Sequence, residues 1–161
     1  MAVNAIVSAA RPHAFLGISG QGRSAIIRTR GNRYGHLVLR GGAGRPNFDT
    51  VSVSLAEEAL RAAGLPENLV VDCSHANSWK KPELQPRVMK DVVHQIREGN
   101  RSIVGLMLES FLVAGRQELP ADRAQLRYGC SVTDACIGWE ETVEVVRAAR
   151  AQLKGIRPAR R

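Results

Sequence analysis

A chain of 161 residues is long enough for one domain that buries roughly two-thirds of its unfolded surface, and too short for two. With 44% hydrophobic and 24% charged residues it has an ordinary globular composition, which excludes long disorder and fibrous repeats. Lys and Arg number 23 against 15 Asp and Glu, and the net charge of +8 is compatible with phosphorylated metabolites, anionic lipid or nucleic acid.

In chain order, Val3, Ile6, Val7 and Ala10 fall at helical spacing with no N-cap signal before them. The chain is therefore expected to begin inside an element, with Met1 not the ancestral start. Residues His13 to Ile18 and Ser24 to Thr29 are strand-like runs joined by Gly20-Gln21-Gly22, an inserted hairpin spanning 13–29. His36 to Arg40 is a short apolar run that predicts a buried strand. From Asp49 to Ala63, Val51, Leu55, Ala59 and Ala62 recur at helical spacing, with Asp49 or Thr50 as cap and Gly64 as stop. Leu69 to Cys73 predicts the next strand. Leu84, Val88, Val92 and Ile96, widened by Met89 and Val93, predict a helix that Gly99 ends. Ser102 to Glu109 predicts a third strand, and Glu141 to Leu153 a last helix, acidic at its start and basic at its end. Residues 155–161 read as a basic tail.

This alternation is the pattern of βα units around a parallel sheet, an α/β fold. The aromatic residues are scattered rather than set beside basic ones, which argues against single-strand nucleic-acid binding, so no nucleic-acid partner is expected. Three cysteines, an odd number, and no secretory leader pattern at the start suit a reduced cytoplasm. No stretch approaches the roughly 20 apolar residues that span a bilayer, so no membrane association is expected.

Each apolar run ends in a polar residue, and Arg40, His75 and Glu109 follow one another at intervals of 35 and 34 residues, about one βα unit. In parallel α/β folds functional groups gather at the carboxyl ends of strands. Arg40 precedes Gly41-Gly42-Ala43-Gly44, which suits either an anion site or a glycine turn with a surface arginine. His75, within Asp72-Cys73-Ser74-His75-Ala76-Asn77-Ser78, suits a ligand or a satisfied structural histidine. Glu109 needs a cation or hydrogen-bond partner if buried, and Asp134 suits a ligand or a helix cap. Together His75, Glu109 and Asp134 offer one nitrogen and two carboxylates, a set for Mn²⁺, Fe²⁺ or Zn²⁺. Cys73 is read as a packed thiol in preference to a fourth ligand.

Several segments closely resemble the bacterial and fungal type of class I 3-deoxy-7-phosphoheptulonate (DAHP) synthase. They are Gly35 to Gly42, Pro46-Asn47-Phe48-Asp49, Asp72 to Ser78, Gly105 to Ser110, and Ser131 to Trp139. The resemblance runs from near Met1 to about Leu153. It implies the carboxyl-terminal half of a (β/α)8 TIM barrel, about three core parallel strands with helices behind the hairpin. It also implies an enzyme of the shikimate pathway that condenses phosphoenolpyruvate with erythrose 4-phosphate and releases phosphate. By the family's pattern His75, Glu109 and Asp134 match three of four ligands of a divalent metal ion (Mn, Fe, Co or Zn), and Arg40 matches an arginine holding the phosphate of phosphoenolpyruvate. Phe15, Gly17 and Ile27 match hairpin positions that help bind a feedback-inhibiting aromatic amino acid.

A whole barrel of this kind needs about 250 residues. The family's cysteine ligand and its Lys-Pro-Arg-Thr loop for erythrose 4-phosphate belong to the half not matched. A homo-oligomer or an amino-terminal half chain is the expected partner, and the alternative is an inactive homologue that binds or regulates a full-length synthase. Ala114 stands where the family pattern Leu-Val-Glu-Gly has glutamate.

Overall fold

The three apolar runs become the three strands of one parallel sheet. In the computed structural model, which describes residues 1–156, these are β3 (Leu37–Leu39), β4 (Leu69–Asp72) and β5 (Ile103–Met107), in the order β3-β4-β5. Leu37 pairs with Leu69 and Asp72 with Met107, so β4 is central and its Leu69 and Val71 are fully buried. The outer strands carry exposed apolar residues, Val38 on β3 and Val104 on β5.

Two helices make the crossovers. The first, preceded at the front of the chain by a separate short helix α1 (Ala2–Ala9), is α2 (Thr50–Ala62). Asp49 caps α2: its carboxylate accepts from the backbone N–H groups of Val51 and Ser52 and from the Ser52 hydroxyl at 2.6 Å. Val53 and Leu60, seven residues apart and thus on one face, are buried against the sheet. The second crossover is α3 (Gln85–Arg97), whose Val88, Met89, Val92 and Val93 form the apolar stripe expected from the sequence. These residues with Leu39, Val71, Cys73 and Ile103 are the core. At ~25 cal/mol per Å², each such aliphatic side chain contributes about 1.5–3 kcal/mol on burial. Below the sheet, Glu57 of α2 accepts from the Ser102 hydroxyl and, at 2.8 Å, from the Asn100 amide, which ties the α3–β5 turn to the preceding crossover.

The hairpin is β1 (Ala14–Ile18) and β2 (Ser24–Arg28), antiparallel with Phe15 opposite Ile27. Gly17 has a packing reason to be glycine, because a Cβ there would lie 2.7 Å from Ile27 Cγ1. The front residues do form a helix, α1, whose Val3 and Ile6 pack on the core.

Three features differ from the sequence expectation. The third strand stops at Met107, because beyond it β4 turns away and the last rung is Cys73 N–H donating to the Met107 carbonyl. A small parallel pair, β6 (Val113–Arg116) with β7 (Cys130–Ser131), was not foreseen. The last helix, α4 (Trp139–Gln152), begins two residues earlier than expected, with Gly138 at its N-cap and no side-chain cap. Its Ala149, Val145 and Leu153 close the core beside α3. Of the expected basic tail, Arg157 to Arg161 lie outside the described residues.

Candidate metal centre

At the end of β4 the chain must leave the sheet without abandoning its backbone groups, and the sequence Asp72-Cys73-Ser74-His75-Ala76-Asn77-Ser78 supplies the partners from its own side chains. Buried Asp72 accepts from the Ser74 backbone N–H at 2.7 Å and from the Ser74 hydroxyl at 2.6 Å through one oxygen, and from His75 Nδ1–H at 2.6 Å through the other. His75 takes a left-handed backbone (φ 50°) and opens a short 3₁₀ turn, His75–Ser78. Such a backbone costs of order 1–3 kcal/mol outside glycine and persists only where surrounding contacts fix it. Here the carboxylate–imidazole bond does so, and it leaves Nε2 free to act as an acceptor or ligand.

Nε2 points at two carboxylates from other strand ends. Glu109 Oε1 lies 3.6 Å away and Asp134 Oδ2 lies 3.9 Å away, and one donor atom from each of the three residues falls within 4.8 Å of the others. Metal bonds of about 2.0–2.2 Å place neighbouring ligand atoms about 3–3.5 Å apart, so small side-chain adjustments would let the set enclose a first-row divalent ion. Burial pushes the Glu109 carboxyl above its ordinary value; the His75 imidazole opposes this, and the Asp134 and Asp72 carboxylates add to it. Among the described residues neither Glu109 nor Asp134 has a lysine or arginine ion-pair partner. Two converging carboxylates beside an imidazole, with no lysine or arginine within ion-pair distance among the described residues, are a donor set that fits a divalent metal.

The three converging residues are carried on supported backbone. Glu109 N–H donates to Gln85 Oε1 at 2.8 Å, and the Glu109 carbonyl accepts from Gln85 Nε2 at 3.1 Å and from the Ile137 N–H at 3.0 Å. Ile137, three residues past Asp134, also accepts from the Phe111 N–H, so the Asp134 segment is laid along the continuation of β5. His75, Lys80, Gln85, Glu109 and Asp134 line one narrow cleft.

Arg40 stands exposed at the carboxyl end of β3, the neighbouring strand. Its glycine loop packs against the His75 turn: a Cβ on Gly41 (φ 76°) would sit 2.6 Å from the Ala76 Cβ and 2.8 Å from the Arg45 carbonyl. A relay of amides joins the two. Asn77 donates to the Leu39 and Asp72 carbonyls and accepts from the Asn47 N–H, and the Asn47 side chain accepts from the Gly41 N–H. Among the described residues the Arg40 side chain makes no hydrogen bond or ion pair.

Cys73 is fully buried in the core and its thiol is pushed up to about 12 by burial, so the packed reading holds and it stands apart from the three converging donors. Phe15, Gly17 and Ile27 lie together in the hairpin, as expected from their pairing. Ala114 is exposed on β6 beside Gly138, and nothing in the structure explains its departure from glutamate. Sequence reasoning singled out the three residues that converge here, but gave no role to Gln85 or Lys80 and quoted Asn77 only within the histidine motif; an acid three residues before the histidine was the available signal for Asp72.

Comparison with known proteins gives the same result throughout. The model of the DAHP synthetase I family matches residues 1–147. The Tyr-sensitive phospho-2-dehydro-3-deoxyheptonate aldolase of Salmonella typhimurium is 47% identical over 154 residues, 96% of this chain and 43% of that protein. The tyrosine-inhibited phospho-2-dehydro-3-deoxyheptonate aldolase of Schizosaccharomyces pombe is 43% identical over 164 residues, again 96% of this chain and 44% of the relative. A solved phospho-2-dehydro-3-deoxyheptonate aldolase from Francisella tularensis superposes with a TM-score of 0.89 at 40% identity, over 96% of this chain and 45% of that one. The chain thus spans less than half the length of these relatives. With a family model matching residues 1–147, the chain belongs to the DAHP synthetase I family.

Proposed function

We propose that this chain is the carboxyl-terminal half of a (β/α)8 barrel and carries the metal-bearing part of a 3-deoxy-7-phosphoheptulonate synthase. The reaction is condensation of phosphoenolpyruvate, erythrose 4-phosphate and water to the seven-carbon product and inorganic phosphate. The observation that carries this reading is the convergence of His75, Glu109 and Asp134 within 4.8 Å, from three separate segments, in a chain of this family. Support comes also from the sheet: among the described residues β3 and β5 end its strand order, and Val38 and Val104 leave one face uncovered, which suits further barrel strands.

In this reading His75 through Nε2, Glu109 and Asp134 hold a divalent ion of the Mn, Fe, Co or Zn class. Such an ion supplies Lewis acidity toward the sugar aldehyde or an attacking water. Asp72, bonded to Nδ1, holds the His75 ring so that Nε2 is aimed at the two carboxylates. Arg40 binds the phosphate of phosphoenolpyruvate as a planar fork, with the Gly41–Gly44 backbone beside it. The overall charge of +8 favours approach of two phosphorylated substrates. Phe15, Gly17 and Ile27 are proposed to contribute to an aromatic effector site, in keeping with relatives named for tyrosine sensitivity.

By the resemblance, a fourth ligand and the erythrose 4-phosphate loop belong to an amino-terminal half, so the active form is a pairing with that half. The test is loss of phosphoenolpyruvate with erythrose 4-phosphate and Mn²⁺, using the chain alone and mixed with a separately expressed amino-terminal half. Activity only in the mixture is expected, and it should vanish with His75→Ala. A silent mixture would leave the second reading, a catalytically inactive homologue that binds or regulates a full-length synthase.

A further inference from the structure

Among the described residues Gln85 is the one long polar side chain that is completely buried at the rim of the cleft, and its two amide atoms are both spent on the backbone of a single residue, Glu109. From this we propose that Gln85 is a positioning residue for the metal site, an inference that rests on the reading of His75, Glu109 and Asp134 as ligands.

The argument is one of missing strand partners. The β4–β5 pairing ends at Asp72 and Met107, with one last rung from Cys73 N–H to the Met107 carbonyl. Two residues further on, Glu109 has left the reach of β4, which has already folded into the His75 turn. Its backbone would there face an empty flank, with a buried N–H orphaned and the strand free to twist about its own axis. Gln85 enters that flank from the first turn of α3, donating 3.1 Å to the Glu109 carbonyl and accepting at 2.8 Å from its N–H, the pair of bonds a neighbouring strand would make. The same carbonyl also accepts from the Ile137 N–H at 3.0 Å. Glu109 is therefore fixed by two elements, Gln85 of α3 and the segment that presents Asp134. An amide is suited to this because it offers one donor and one acceptor side by side.

The position of the Glu109 carboxylate relative to His75 Nε2 follows from that attachment, so releasing it should loosen the ion more than it loosens the fold. Supporting partners of metal ligands typically contribute 10–100-fold to affinity.

The test is titration of the full chain with MnCl₂ by calorimetry, alongside urea unfolding of the same samples. Gln85→Met, which fills the space and offers neither bond, and Gln85→Asn, which keeps the amide but falls short by one methylene, are both expected to weaken Mn²⁺ binding about 10–100-fold. Gln95→Met removes another buried glutamine of α3, one that binds the Phe48 carbonyl and Asp91 away from the cleft. It is expected to lower the urea midpoint while leaving Mn²⁺ affinity unchanged. Wild-type affinity in Gln85→Asn, or in Gln85→Met if that variant folds, overturns the proposal. Equal losses of affinity in the Gln95 variant would also overturn it, by reducing the effect to general stability. Absence of Mn²⁺ binding in the unmodified chain is a separate result: it overturns the ligand reading itself, and the inference with it.

Discussion

The Asn77 relay gives the most quantitative prediction, because one buried side chain makes three hydrogen bonds that join β3, β4 and the Arg40 loop. Asn77 is 2% exposed; it donates to the Leu39 carbonyl at 3.0 Å and the Asp72 carbonyl at 2.8 Å and accepts from the Asn47 N–H at 2.7 Å. Each buried bond contributes about 1 kcal/mol net, and the orphaned Asn47 N–H adds a desolvation cost of about 1–3 kcal/mol. Asn77→Ala should therefore destabilise the chain by about 4–6 kcal/mol. With a urea slope of about 1–3 kcal/mol per molar, that is a midpoint lower by at least about 1 M. Asn77→Asp keeps the acceptor but turns a carboxylate toward two carbonyl oxygens. At pH 7 it should be at least as damaging as alanine, and acid should relieve part of the deficit, since protonation restores one donor. The assay is urea unfolding followed by circular dichroism at pH 7 and pH 4.5. A midpoint within about 0.3 M of wild type for Asn77→Ala, or an Asn77→Asp variant as stable as wild type at pH 7, would refute the reasoning that this amide holds the two strand ends together.

Other expectations follow from single features. Leu60, 1% exposed on the inner face of α2, should cost about 2–5 kcal/mol on replacement by alanine, read as a loss of urea midpoint at unchanged slope. Cys73, with its thiol pushed up to about 12, should resist iodoacetamide at pH 8 in the folded chain and react once urea unfolds it, as mass spectrometry of the labelled peptides would resolve. Asp49→Ala should lose about 1 kcal/mol of helix capping. The Asp49 carboxyl is held below its ordinary 3.8 chiefly by the Ser52 hydroxyl, so its contribution is full above about pH 4 and fades as pH falls through the depressed folded value. Asp49→Asn, which caps without titrating, should show no such fading.

How far the sequence carried depended on burial pattern. The β3-α2-β4-α3-β5 unit was legible because its strands read as nearly unbroken apolar runs and its helices as four-residue stripes. Strands β6 and β7 were not, because Val113–Arg116 and Cys130–Ser131 are short, partly polar, and paired with shifted register, so they carry no period. The start of α4 was misplaced because Gly138 caps it by backbone alone. His75, Glu109 and Asp134 were visible as polar residues at the ends of apolar runs. Their supports were less so: Gln85, next to Pro86 at a helix start, looks in sequence like a surface residue, and only the bend of β4 away from β5 creates the flank it fills. The anion-holding role proposed for Arg40 rests on chemical type alone, since the exposed side chain has no partner among the described residues.

The central claim is that an imidazole and two carboxylates from separate strand ends share one cation. Calorimetric titration of Mn²⁺ into the chain and into its His75→Ala and Glu109→Gln variants tests it most directly. The account predicts one ion per unmodified chain and at least a hundredfold loss, or none detectable, in His75→Ala. An ion bound equally well without the imidazole, or no ion bound at all, would contradict it.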